Sequence, residues 1–125
     1  MDVRGFSLVE TLIATMILAV AATALAQLFV LSARANQIAR ATTMETLLAQ
    51  EKIEDLRAEP ILLPGGSLAR NESGFSDAVS GYTRRWSVDP LSPEQRSTFV
   101  VQVLVTSPLP GDVRLVALRS GNGGP

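Results

Sequence analysis

The chain has 125 residues, enough for one domain and too few for two full cores with a linker. Its formal net charge is −1, so no overall positive field gathers nucleic acid or anionic lipid. It contains no cysteine and no histidine, which excludes zinc, haem, iron–sulfur, thiol and disulfide chemistry and every mechanism that needs an imidazole base. Apolar residues are spread unevenly. Residues 1–50 hold no proline and only Gly5, whereas the other 75 hold all 7 prolines and 8 of the 9 glycines. A long helix-compatible stretch therefore precedes a turn-rich module.

Thr11 to Ala33 is a run of 23 residues without a charge, and Thr11, Thr15, Thr23, Gln27 and Ser32 are its only polar members. As a helix it is about 35 Å long at 1.5 Å per residue, more than the roughly 30 Å of a bilayer's hydrocarbon layer. The run outlasts the apolar core of a cleaved secretory signal, about 7 to 15 residues. Ala22, Ala24 and Ala26 are a weak candidate for a small-x-small cleavage site. The run is read as a membrane anchor that stays on the protein. Glu10 stands at its mouth. An unpaired carboxylate in lipid costs about 2.5–3.5 kcal/mol, so Glu10 must find a partner, reach the surface or be neutral. An interfacial glutamate of an ordinary signal anchor is the plainest alternative.

The residues around Glu10 favour a more specific reading. Arg4-Gly5-Phe6-Ser7-Leu8-Val9-Glu10 resembles the processing site of type IV prepilins and their relatives, among them the pseudopilins of type II secretion and of competence. The shared pattern is a short polar leader, a glycine, a methylated hydrophobic residue, a glutamate four positions later and about twenty apolar residues. The resemblance implies that a prepilin peptidase removes leader residues 1–5 by cutting between Gly5 and Phe6 and methylates the Phe6 amine. It also implies that Glu10 of one subunit meets that amine on a neighbour, so that the charge pair forms on assembly. Implied partners are the peptidase, sibling minor and major pilins or pseudopilins, an inner-membrane assembly platform and membrane lipid. The implied location is a single pass through the inner membrane, with the carboxy-terminal head in the periplasm.

Two features depart from the family. Gln27 stands where many members carry a helix-bending proline, and the cysteine pair common in major pilins is missing. Arg4 precedes the span while Arg34 and Arg40 follow it, so orientation rests on the resemblance and not on charge.

Beyond the anchor (6–33), an amphipathic continuation is predicted over 34–59. Ala41, Met44 and Leu48 share one face, and Ala49, Ile53 and Leu56 continue an offset stripe. Glu59-Pro60 ends the helix. A head is predicted over 60–120, with an irregular connection up to Gly81 and then three strands. These are Tyr82 to Val88, Phe99 to Val105 and Val113 to Leu118, each with successive residues assigned to alternate faces. The tail 121–125 reads as disordered. The expected fold is α+β: a long amino-terminal transmembrane and amphipathic helix packed on a small three-stranded antiparallel sheet, pilin-like.

Arg84, Arg85, Trp86 and Arg96 are a candidate basic-aromatic patch for single-stranded nucleic acid. The phase of Trp86 with Tyr82 and Val88 favours a sheet-face role instead, and nucleic acid is not an expected partner. Serines, threonines and carboxylates form no nucleophile elbow, phosphate loop or paired-acid motif. No catalytic residue, cofactor site or metal site is expected, and the protein is read as a non-enzyme. The favoured role is a minor pilin or type II secretion minor pseudopilin, resembling the small I-type. The alternatives are a non-polymerising signal-anchored periplasmic binding protein and a DNA-uptake minor pilin.

Overall fold

The computed structural model describes residues 5, 7–60 and 62–121. The element order is α1 (Leu8–Ala58), β1 (Gly65–Gly66), β2 (Ser76–Val79), β3 (Tyr82–Pro90), β4 (Thr98–Thr106) and β5 (Val113–Ser120). The chain divides into two compact units, 1–37 and 38–125.

In the first unit the described helix is exposed on every side. Its apolar stretch is long and apolar enough to cross a membrane, and none of that stretch is buried within the chain. α1 runs over 51 residues, and the position of Gln27 is fully helical. No proline or glycine lies inside it to break the ladder.

The second unit has its own core. Leu48, Ala49, Ile53 and Leu56 of α1 pack with Trp86 and Val88 of β3 and Val101, Val103 and Val105 of β4. Each valine fully removed from water contributes about 1.5 kcal/mol or more. The sheet is antiparallel throughout, in the order β1-β3-β4-β5, with β2 also paired to β3. The pleat sends Tyr82, Arg84, Trp86 and Val88 to the helix side, opposite Val105, Val103 and Val101 for the last three. Arg119 closes the far end of the helix: its guanidinium donates to the Leu56 carbonyl at 2.8 Å and to the Glu59 carbonyl. Those carbonyls lie in the last turn and just past it, where no further turn can satisfy them.

The sheet has five strands, not three. β1 and β2 lie in the connection read as irregular, because two glycines and Ser-Asp-Ala-Val lack the β-branched alternation that marks a strand. A hairpin turn at Ser80-Gly81 (φ 52° and 85°) joins β2 to β3, with Val79 opposite Tyr82. Both turn residues have positive φ, as a two-residue hairpin of this hand requires. Gly66 allows a close approach: a Cβ there would stand 2.2 Å from the Trp86 carbonyl oxygen.

The helix face also differs from the expected one. Met44 is 41% exposed, and the buried set is Ala41, Glu45, Leu48, Ala49, Ile53 and Leu56. Glu45 occupies the buried position one residue along from Met44. Of the tail predicted to be disordered, Gly121 is tied down by its N–H donating to the Ser97 carbonyl, and residues 122–125 lie outside the described residues.

Candidate functional site

The amino-terminal end of α1 is built around Ser7. The Glu10 N–H donates to Ser7 Oγ at 3.1 Å, and the Thr11 N–H donates to the Ser7 carbonyl at 3.0 Å. Ser7 is thus the helix cap, with Leu8, Val9 and Glu10 as the first three helical residues. Ser7-x-x-Glu10 is the spacing of a capping box, a local signal that the motif-level reading passed over. It gives Glu10 a second reason to be where it is, since an acid in the first turn favours the helix dipole by about 0.3–1 kcal/mol.

Glu10 is exposed. Among the described residues the ion pairs are Arg57–Glu54, Arg70–Glu72 and Arg84–Asp77, none of which involves it. Gly5 is exposed as well, and a Cβ there would meet no atom within 4 Å. Among the described residues, nothing crowds the Gly5 backbone. Phe6, the predicted new amino terminus and methylation site, lies outside the described residues, as do leader residues 1–4.

Within the anchor the threonines hide their polarity. Thr15 Oγ1 donates to the Thr11 carbonyl and Thr23 Oγ1 to the Ala19 carbonyl, each at 2.8 Å. Such back-bonding satisfies a hydroxyl where no water is at hand. The Gln27 amide stands exposed in the same apolar stretch.

In the head, the candidate basic-aromatic patch is taken apart by the pleat. Arg84 lies on the helix side, its side chain 7% exposed, and Nε and Nη2 donate to the two Asp77 oxygens at 2.7 and 2.6 Å. Nη1 reaches the Leu48 carbonyl at 3.4 Å. Donating to Asp77 holds the Arg84 guanidinium charged beyond the usual arginine range, against the opposing effect of burial. Trp86 is buried beside it, with Lys52 Nζ 3.8 Å from the ring centroid. Arg85 projects from the opposite face and donates to Asn71 Oδ1 at 2.7 Å and the Leu68 carbonyl at 3.3 Å. Arg96 lies exposed in the β3–β4 connection.

Glu45 went unnoticed in the sequence. It is 1% exposed, and among the described residues neither carboxylate oxygen has a hydrogen-bond partner. Nothing marks it in the sequence beyond an acid placed in phase with Ala41, Leu48 and Ala49. Among the described residues no group of three Asp or Glu side chains is positioned to hold a metal ion.

Residues 1–26 match a family model described as the prokaryotic N-terminal methylation motif. The matched segment, 26 of 125 residues, contains Gly5, Phe6, Glu10 and most of the apolar run. It supports a type IV pilin-like protein, membrane-anchored, processed by a prepilin peptidase and assembling with other pilins. No curated protein and no solved structure matches the chain.

Proposed function

We propose that the protein is a minor pilin or minor pseudopilin with no catalytic activity of its own, a subunit of a type IV pilus or type II secretion pseudopilus. A prepilin peptidase cuts between Gly5 and Phe6 and methylates the new amine. The mature chain then sits in the inner membrane through 6–33, with its head in the periplasm, until it is drawn into the filament. The observation that carries this reading is the matched motif with Glu10 four residues after Phe6 at the mouth of an anchor that buries nothing within its own chain.

The physics of assembly follows from that arrangement. The Phe6 amine is a cation produced at the edge of hydrocarbon, and Glu10 is an anion at the same depth. Each is costly alone in lipid, and one subunit's pair with its neighbour's removes both costs. The pairing sets the axial register of one helix on the next. Ala14, Ala19, Ala21, Ala22, Ala24 and Ala26 keep the anchor's surface low enough for close helix approach, where packing rather than hydrophobicity drives association. Met44 and Leu47, exposed on the head's helix, extend an apolar surface available to neighbours. The small head, without visible ligand chemistry, suits a minor component.

The test uses the natural absence of cysteine. A cysteine placed at Leu18 reports anchor-to-anchor contacts by disulfide trapping in native membranes. Glu10→Gln is expected to be cleaved and methylated normally, to keep its folded head, and to lose those crosslinks. Crosslinking and filament incorporation at the wild-type level would contradict the proposed role of Glu10.

A further inference from the structure

The two edges of the head sheet are unequal. On one side β3 is covered by the two-residue β1 and the four-residue β2, short strands separated by a loop. On the other side β5 pairs with β4 along all eight of its residues, and among the described residues no strand covers its outer edge. Proteins usually protect such an edge with lysine, proline, a bulge or a covering loop. β5 (Val113–Ser120) contains neither proline nor lysine, and both its arginines are turned onto their own chain. Arg114 donates to Gln102 Oε1, and Arg119 to the helix carbonyls. Beside the open edge the outward face is apolar apart from the Arg114–Gln102 pair. Val116 and Leu118 are 59% and 60% exposed, and Val100 and Leu104 of β4 flank them on the same face.

We propose that this edge is a strand-addition site that receives the β2-side edge of an adjacent, like-folded subunit anchored in the same membrane. The proposal rests on the pilin-like assembly argued above. Strand direction selects the occupant. β5 runs with β3 and against β1 and β2, because every pairing in the sheet is antiparallel. A subunit set alongside by translation therefore offers its β2 antiparallel to β5, with both head helices pointing the same way and on the same sheet face. Antiparallel self-pairing of two β5 edges, the mode of every pairing in this sheet, needs a twofold axis perpendicular to the sheet, and that operation reverses the head helix. The chain enters each head at Ile38 from the membrane-spanning segment, so self-pairing would put the two points of entrance at opposite ends of one sheet. Subunits in one membrane keep them at the same end. The contact is therefore heterologous and open to continuation, as a filament contact must be. Side-chain sizes agree with this direction: the outward residues of β2 are Ser76 and Ala78, small enough to lie beside Val116 and Leu118. Main-chain hydrogen bonds would supply the affinity, and the outward side chains the choice of partner.

The test places a photo-crosslinking phenylalanine analogue at Val116 in the full chain in native membranes, and separately at Ile13 in the anchor. Ile13 adducts report helix assembly and so test the parent reading independently. The expected Val116 adduct is another processed subunit, with the crosslinked peptide mapping to that subunit's edge strand on the β2 side. Adding Leu118→Lys beside the probe is expected to cut the adduct at least tenfold, without changing the head's melting temperature. Several results overturn the proposal: a Val116 adduct with phospholipid, an adduct joining two β5 strands, or no Val116 adduct where Ile13 crosslinks normally. Loss of both adducts removes the assembly reading and this one together.

Discussion

The two units of this chain solve opposite problems. The amino-terminal unit buries nothing in itself: its leucines, valines and isoleucines are exposed, and its threonines satisfy their hydroxyls on their own backbone. Its stability as a helix and its packing must come from surroundings outside the chain, lipid and other helices. The head buries a core of its own around Trp86, Val101, Val103 and Val105. Substitutions in the head are therefore expected to move its melting temperature while leaving processing alone. Substitutions in the anchor are expected to change assembly while leaving head melting alone.

The largest expected effect is in the head core. Trp86→Ala removes a 6%-exposed indole and the ring on which Lys52 rests, and costs about 3–5 kcal/mol. Calorimetry on the detergent-solubilised chain should show the head transition lowered or lost, with cleavage after Gly5 unaffected. Asp77→Asn strands the Arg84 guanidinium, 7% exposed, without its counter-charge. Because Asp77 is 34% exposed, the cost is smaller than for a fully buried pair, about 2 kcal/mol. Fluorescence of the single tryptophan on heating measures it.

Glu45→Leu should act with the opposite sign. It removes a buried carboxylate whose two oxygens lack partners among the described residues and is expected to stabilise the head by about 1–3 kcal/mol. A lowered melting temperature would mean that Glu45 has a partner in the folded protein.

The same contrast explains what was legible in the sequence. The anchor was readable because its signals are local: a chargeless run of fixed length, and Gly5, Phe6 and Glu10 at fixed spacing. The three long strands were readable because turn-rich connections bound them and apolar residues recur at every second position over most of their length, and each was found within two residues of its observed ends. β1 and β2 were missed because Gly65-Gly66 and Ser76–Val79 owe their pairing to β3, not to their own composition. Only Ser80-Gly81 announced the hairpin. Arg84 and Glu45 were unreadable for a related reason. Whether a charged residue in an apolar phase is buried depends on what the facing element brings, and Asp77 comes from a strand the sequence did not reveal. Ser7 was legible as a cap and was overlooked beside the stronger motif.

Processing at Gly5–Phe6 is tested most plainly by the intact mass and amino-terminal residue of the protein from native membranes, with an active and an inactive prepilin peptidase. The expected result is a mature chain beginning at methylated Phe6, replaced by the uncut form when the peptidase is inactive. A chain that still carries residues 1–5 in cells whose peptidase works would contradict it, and would leave a plain signal anchor bearing a folded head.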